Sequence, residues 1–248
     1  MQSIRPAIAA AAVVAAVLAA PCARAQDAPR VTIGAYGVFS PTSIGYDATR
    51  TFDSFAEEGR IDTDYDAGTG PGGELGLTFR LARRFGVGVA GTIVSRETTA
   101  SYSASLPHPL FLNRPRIAEG TVDVDYSEKA GHLDLVYLGS SGSLDFTLFA
   151  GPSLVSVSAD LLGTPVYAQE YPYDEVTVNN LQPMAADKSG IGFNAGASLT
   201  YRFSRQIGFG VQGRFTRASL ELVRDDGDDP VSIDAGGFQV GAGFRFAF

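Results

Sequence analysis

The sequence predicts an all-β protein built from antiparallel strands, and three observations support that fold class. The chain has 248 residues, of which 45% are hydrophobic and 29 are glycine. After residue 20 there is no long apolar run, so apolar residues must alternate with polar ones, as they do in strands. Short and long connections between these strands also alternate, as they do when every second connection lies on the same side of a membrane. We therefore predict an eight-stranded antiparallel up-and-down transmembrane β-barrel with short periplasmic turns and long extracellular loops.

Residues 1–25 are predicted to be a cleaved signal peptide, and residues 26–248 to be the barrel domain. Arg5 supplies a positive charge, residues 7–20 are apolar, and residues 23–25 form the small-x-small pattern that signal peptidase cuts. An uncleaved membrane anchor is the alternative, but a transmembrane helix needs about 20 apolar residues and this run is shorter. The pattern indicates export from the cytoplasm.

The only cysteine, Cys22, lies within this segment. A lipoprotein would carry its lipid on this residue, although Pro21 stands where a small residue is preferred. Cleavage after residue 25 leaves no cysteine, so we expect neither a disulfide framework nor a thiolate metal site. We also expect no cofactor.

Eight segments alternate well enough to cross a hydrocarbon layer, which takes about nine to eleven residues of tilted strand. In the seventh segment the apolar positions change parity, so that Leu220 and Leu222 continue the apolar face; a bulge near Arg217 would explain the change. Residues 121–126 alternate and could extend the fourth strand outward. The predicted strands are 31–39, 73–81, 85–95, 129–138, 144–158, 190–203, 207–223 and 233–248.

Charge follows the division between short and long connections. The long loops, predicted at 41–72, 97–128, 159–188 and 224–232, hold 21 of the 27 acidic residues and six basic ones. Of the short turns, predicted at 82–84, 139–143 and 204–206, the first and the third carry arginines, namely Arg83, Arg84 and Arg205. Hydration alone could explain each acidic loop. The segregation as a whole argues against nucleic-acid partners, which need a basic surface.

The polar face of the strands predicts a network of charges in the barrel lumen. A soluble barrel of the lipocalin type would turn its apolar face inward, but here the apolar face carries aromatic residues near the short turns, as membrane barrels do. An isolated buried charge costs several kcal/mol, and the interior of an eight-stranded barrel is about wide enough for its own side chains. We therefore expect opposite charges to pair and the lumen to be plugged. The predicted network is Glu74, Arg80, Asp134, Asp145, Arg202, Arg214 and Arg245.

The signal peptide, the eight strands, the tight turns and the closing segment 236–248 together resemble the OmpA/OmpX-type small outer-membrane β-barrel domain family, over about residues 30–248. The resemblance implies a Gram-negative outer-membrane location, contact with outer-membrane lipids and lipopolysaccharide, and insertion by the barrel-assembly machinery. It also implies that the alternating C-terminal residues are the assembly signal, namely Val240, Ala242, Phe244, Phe246 and Phe248. No peptidoglycan-binding domain is expected after them, and we expect a monomer.

Two histidines are the candidates for catalysis. His132 and Asp134 share a strand face but lie about 7 Å apart, too far for a usual hydrogen bond. His108 lies in a predicted loop without an identifiable serine and acid beside it. We therefore expect a paired lumenal histidine, a solvated loop histidine and no enzymatic activity.

Two acidic segments are candidates for cation binding. Residues 62–68 resemble the start of a calcium loop, but the glycine comes one position late and residue 73, where the bidentate glutamate is expected, is glycine. Residues 225–229 contain four aspartates. We expect hydrated turns rather than metal sites, with cation bridging to lipopolysaccharide as the alternative.

Three functions remain open from the sequence. The first is a structural or surface-interaction barrel with a mostly plugged polar lumen. The second is a narrow channel for small or apolar solutes, as in OmpW-like proteins. The third is a barrel enzyme that modifies lipid A.

Overall fold

The computed structural model describes residues 29–222 and 231–248 and contains ten antiparallel strands where the sequence predicted eight. β1 pairs with β4 and with β10, and the remaining pairs run β4–β5, β5–β6, β6–β7, β7–β8, β8–β9 and β9–β10. These pairs close a ring. The strands are β1 Val31–Ser40, β2 Ile44–Ser54, β3 Glu57–Ala67, β4 Gly70–Arg80, β5 Phe85–Leu106, β6 Arg116–Ser141, β7 Leu144–Ala168, β8 Thr177–Arg202, β9 Ile207–Leu222 and β10 Val231–Ala247.

Three tight connections lie at one end of the ring, which we call the turn end. They join β4 to β5, β6 to β7 and β8 to β9, where the sequence predicted short turns. Gly142 takes a left-handed conformation (φ 61°) in the second, as a two-residue hairpin requires. In the third, the Ser204 hydroxyl accepts hydrogen bonds from the amides of Gln206 and Ile207 at 3.2 and 3.0 Å. The opposite end, which carries the longer connections, is the loop end.

Three of the four predicted long loops, 41–72, 97–128 and 159–188, are largely strand, while most of 224–232 lies outside the described residues. Residues 44–67 form the β2–β3 hairpin, and β3 pairs with the distal part of β5 from Arg60↔Ser105 to Ala67↔Thr98. β5 and β6 remain paired out to Leu106↔Arg116, so residues 121–126 do extend the fourth predicted strand. The predicted boundaries of these three loops were wrong because the strands continue beyond the segments that have an apolar outer face. Backbone pairing between strands does not require that face to be apolar.

The outer wall is apolar in the half of the ring near the turn end, which we call the turn half. Its exposed side chains alternate with buried ones, as the sequence predicted, and many of the buried side chains are polar. They include Leu75, Val89, Ile93, Leu133, Leu135, Leu148, Ile191, Phe193, Leu199, Phe209, Val211, Val240 and Phe244.

The polarity of the wall is reversed in the other half, the loop half. There the apolar residues point inward and form one buried cluster, and charged or hydroxyl side chains point outward. The cluster includes Ile44, Tyr46, Ile61, Tyr65, Leu106, Val124, Tyr126, Val155, Val157, Leu161, Leu220, Leu222, Val231 and Ile233.

The predicted bulge near Arg217 is wrong. β9 pairs with β10 without interruption from Leu222↔Val231 to Ile207↔Phe246, so its side chains keep strict alternation. Leu220 and Leu222 are buried on the same face as Arg214, while Arg217 is exposed. The apolar positions change parity because the strand passes from an apolar outer surface to an apolar interior. No helix in residues 29–222 and 231–248 is long and apolar enough to span a membrane.

Candidate functional site: the closed interior and the loop tips

Arg214 on β9 is the centre of the interior of the turn half. Its Nη2 and Nε donate to the two carboxylate oxygens of Glu74 on β4, both at 3.1 Å, and its Nη1 lies 3.2 Å from Oδ2 of Asp134 on β6. Nη1 also donates to the side-chain oxygen of Asn194, and the guanidinium lies 4.4 Å from the ring centroid of Phe149. The three charged side chains are only 3–4% exposed. These contacts link five strands, β4, β6, β7, β8 and β9, across the middle of the ring.

A second chain of hydrogen bonds continues from Asn194. Its amide nitrogen donates to Ser153 Oγ at 3.0 Å, Ser153 Oγ lies 2.8 Å from His132 Nδ1, and His132 Nε2 lies 3.0 Å from Thr92 Oγ1. All four residues are buried. His132 is thus a paired lumenal histidine, and its partners are hydroxyls rather than Asp134. Sequence reasoning did not single out Asn194, Ser153 or Thr92, whose only signal was their position on the polar face.

The remaining members of the predicted network lie nearer the turn end and pair less completely. Arg202 Nε lies 3.0 Å from Asp145 Oδ2, and its Nη2 donates to a turn carbonyl at 2.7 Å. Arg245 donates to Thr147 Oγ1 at 2.9 Å. Within the part of the chain that the structure describes, neither Arg245 nor Arg80 forms an ion pair with a carboxylate, and the buried Nε of Arg80 has no hydrogen-bond partner. The expectation that all four arginines are bridged by acids is therefore wrong for these two, because the strand register places a single carboxylate, Asp145, near this end.

An arginine also braces the junction between the two halves. Arg96 on β5 has a fully buried side chain whose Nη2 donates to Ser40 Oγ at 2.8 Å and to the carbonyl of Gly236 at 3.1 Å. Its Nη1 donates to the carbonyl of Gly68 at 3.1 Å, and Glu128 Oε2 lies 3.7 Å from Nη2. Burial raises the pKa of Glu128, although the charge of Arg96 opposes the shift.

The interior of the loop half is packed rather than polar. Tyr46 and Tyr65 stack with ring centroids 4.6 Å apart, and Tyr126 lies 6.5 Å from Tyr46. The Tyr65 hydroxyl accepts a hydrogen bond from the amide of Leu162 at 2.7 Å. The apolar cluster and these rings occupy the interior on the loop-end side of the Arg214 contacts. The interior is therefore blocked at two levels, one polar in the turn half and one apolar in the loop half.

The loop tips are tied to one another. The Asn113 amide donates to Glu57 Oε1 at 2.6 Å, which joins the β5–β6 loop to the β2–β3 hairpin. Arg114 pairs with Asp174 at 3.4 Å, which joins the β5–β6 loop to the β7–β8 loop. The tips carry exposed apolar side chains, namely Phe55, Leu110, Phe111, Leu112 and Tyr171.

His108 was expected to be a solvated loop histidine, and that expectation is wrong. Its side chain is 2% exposed, and Nδ1 accepts hydrogen bonds from the amides of Leu110 and Phe111 at 3.1 and 3.2 Å. The ring of Phe111 lies 4.9 Å away. His108 therefore shapes the loop that displays the apolar tip.

The aspartates of the calcium-like segment lie on a strand rather than in a loop. Asp62, Asp64 and Asp66 point outward from β3, between buried residues. Alternate residues on one strand face are about 7 Å apart, so their carboxylates do not converge. Hydrogen bonds from Arg60 and Thr49 lower the pKa of Asp62. Within residues 29–222 and 231–248, no three potential ligands are grouped to hold a metal ion.

Some predicted features fall outside the described residues. These are the signal peptide and the four aspartates in 225–229. The residues of the predicted assembly signal are described, and all five lie on the outward face of β10 or directly after it.

These observations define a class of protein. A closed ring of antiparallel strands with an apolar outer belt satisfies its backbone groups internally, as a structure in lipid must. The sequence model of the family described as outer membrane protein β-barrel domain matches residues 7–246, and the chain belongs to that family. The protein is accordingly an outer-membrane protein, which agrees with the predicted resemblance and location.

The comparison with solved structures matched several outer-membrane proteins. OprG from Pseudomonas aeruginosa matches with a TM-score of 0.53 and 12% identity over 89% of this chain and 96% of its own. Neisserial surface protein A matches with a TM-score of 0.43 and 12% identity, over 88% and 97% of the two chains. The outer membrane protease OmpT from Escherichia coli matches with a TM-score of 0.42 and 10% identity, over 88% and 97%. At 12% identity and this TM-score, the likeness to OprG concerns the fold alone. The comparison with curated protein sequences gave no match.

Proposed function

We propose that the protein is an eight-stranded up-and-down transmembrane barrel with a closed lumen, which acts as a structural and surface-interaction protein. In this arrangement β1 and β4–β10 form the barrel, the turn end faces the periplasm, and the β2–β3 hairpin belongs to an extracellular extension. The apolar belt contacts membrane lipid, and the acidic outer face of the extension is in water. Short turns on the periplasmic side and larger connections outside are the usual arrangement of such barrels.

The filled interior is the observation that carries this proposal. Arg214, Glu74 and Asp134 close the turn half, and the apolar cluster around Tyr46 and Tyr65 closes the loop half. A water-filled pore would need a continuous path past both levels. The buried state of these side chains supports a closed barrel instead.

The loop tips supply the interaction surface. Exposed apolar side chains grouped on a soluble surface commonly mark an interaction site, and here Leu110, Phe111 and Leu112 are 61%, 52% and 71% exposed. The ion pair and hydrogen bond that link the three loops hold this surface in one shape. Acidic residues around the tips favour a partner with apolar and basic groups.

Attachment of whole cells tests the proposal. Cells producing the protein are compared, on polystyrene and on epithelial monolayers, with cells producing Phe111→Ser together with Leu112→Ser. Ile117→Ser is the control, because Ile117 is 59% exposed but lies at the start of β6 instead of at the tip. We expect attachment to fall for the tip variant only. Attachment that is equal for all three proteins at equal surface amounts would contradict a role of the tips.

A narrow channel for apolar solutes is the second candidate, and one observation favours it. In the described residues, β10 pairs with β1 only as far as Phe39↔Val240. Nearer the loop end β10 has no backbone pairing with β1, and we call this unpaired boundary the seam. Two side-chain contacts bridge this seam: Ser40 Oγ donates to the Phe238 carbonyl at 3.3 Å, and the Phe238 amide donates to Thr42 Oγ1 at 3.2 Å. If the seam opens, an apolar solute could pass between the apolar cluster and lipid. Uptake of a fluorescent alkane analogue by liposomes containing the protein would favour this candidate over the first.

A further inference from the structure

The turn end carries a large excess of positive charge. Among the residues that the structure describes, Arg30, Arg83, Arg84 and Arg205 are exposed there, and Arg80, Arg202 and Arg245 lie inside the mouth. Asp145 is the one acidic side chain at this level within 29–222 and 231–248; Glu74 and Asp134 lie deeper and are already bound to Arg214. The charge of the mouth is therefore not balanced by the barrel's own side chains.

The inner arginines converge on one small cavity. Arg80 from β4, Arg202 from β8 and Arg245 from β10 line it together with Asp145 and Thr147 from β7. Its volume is about 30 Å³, enough for one or two water molecules. Arg202 forms an ion pair with Asp145, and Arg245 donates one hydrogen bond to Thr147. The buried Nε of Arg80 has no hydrogen-bond partner and is free to bind a ligand.

Buried guanidinium groups of like charge repel each other, and an anion between them removes that cost. Guanidinium groups match the geometry of phosphate oxygens and bind them by charge-assisted hydrogen bonds. The cavity has room for a single oxygen atom of such a group, while the rest of the phosphate would stay at the mouth. Arg80 and Arg245 form no ion pair with the one carboxylate that lines the cavity, Asp145, which pairs with Arg202.

We propose that the turn-end mouth is a binding site for a phosphate group, held by Arg80 and Arg245 with Arg202 and Thr147 at its edge. The same chemistry is available from free phosphate and from the headgroup of an anionic phospholipid in the adjacent leaflet. The lipid source relies on the membrane-spanning arrangement proposed above, whereas binding of free phosphate does not.

The first experiment uses the whole protein in a zwitterionic detergent at low ionic strength, titrated with inorganic phosphate by calorimetry. Arg80→Gln combined with Arg245→Gln removes the two unpaired arginines. Arg83→Gln combined with Arg84→Gln is the matched control, because it removes the same charge from an exposed turn outside the cavity. Circular dichroism and heat-modifiable electrophoretic mobility establish that each variant is folded.

We expect saturable binding of about one phosphate, weakened at least about tenfold in the cavity variant and less than about twofold in the turn variant. A second arm uses nanodiscs of phosphatidylcholine with or without phosphatidylglycerol, with retained lipids counted by native mass spectrometry. Selective retention of phosphatidylglycerol by the parent and the turn variant supports the site and assigns it to lipid. Phosphate binding without such retention supports the site and assigns it to a soluble ligand.

The site is overturned if the cavity variant and the turn variant behave alike in both arms. A folded cavity variant that keeps the parent's affinity for phosphate and for phosphatidylglycerol would give that result. Because the titration in detergent depends neither on the loop tips nor on closure of the lumen, its failure leaves the proposed function standing. Conversely, loss of cell attachment has no bearing on this site.

Discussion

Replacing Arg214 with methionine removes the cation that holds Glu74 and Asp134 together inside the barrel. The three side chains are 3–4% exposed, so the variant leaves two buried carboxylates facing each other without a partner. Breaking a buried ion pair in this way costs about 3–5 kcal/mol of folding free energy. Methionine keeps an apolar contact with Phe149, so the loss comes mainly from charge rather than from a cavity.

The cost is measured by urea unfolding of the refolded protein in detergent micelles, followed by circular dichroism. A triple variant, Arg214→Met with Glu74→Gln and Asp134→Asn, separates charge from packing because it contains no buried charge at this level. We expect the single variant to lose about 3–5 kcal/mol and the triple variant to recover more than half of that loss. A single variant within about 1 kcal/mol of the parent, or a triple variant no more stable than the single one, would contradict a stabilising role of the buried charges.

The remaining predictions concern the junction and the loop half. Gly236→Ala should cost about 1–3 kcal/mol, because Gly236 has φ 107° and an added Cβ would lie 2.2 Å from a carbonyl oxygen of β9; Gly131→Ala, with nothing within 4 Å, should be neutral. Equal urea midpoints for the two would contradict this. Leu220→Ala should cost about 2–5 kcal/mol and Ser219→Ala less than about 0.5 kcal/mol, since only Leu220 faces the apolar cluster; a bulge near Arg217 would have given the opposite order. Burial raises the pKa of Glu128 above its ordinary 4.5, so the folded state keeps this proton to a higher pH than the unfolded state. The contribution to stability is then present below pH 4.5 and is lost as the pH rises through the raised pKa. In urea unfolding measured at several pH values, Glu128→Gln should reduce the decrease in unfolding free energy as the pH rises. An unchanged pH dependence in this variant would contradict the raised pKa of Glu128.

The turn half could be predicted from sequence because its alternation has a single interpretation. Charged residues such as Arg214 and Asp134 cannot face lipid, so they fix the inward face, and Leu133 and Leu135 then follow on the outward face. The tight turns could be predicted for a similar reason, since Gly142 and Ser204 supply the backbone freedom and the hydroxyl cap that short hairpins use.

The loop half could not be predicted in the same way. Alternation shows that two faces differ, but it does not show which medium each face meets. Leu220 and Leu222 therefore suggested a bulge, although the strand is continuous and the surroundings change. The sequence also could not predict which charged side chains pair in the lumen. Glu74 and Arg214 meet across the ring only because of the register of several strand pairs. The lack of acidic partners for Arg80 and Arg245 follows from the same register.

Ionic current through the purified protein in a planar lipid bilayer tests the closed lumen most directly. At neutral pH, with the Arg214 contacts and the apolar cluster in place, we expect no stable conductance step above the bare membrane. Large, long-lived and reproducible current steps from the folded parent protein would show a continuous aqueous path, and would contradict the claim that the interior is filled.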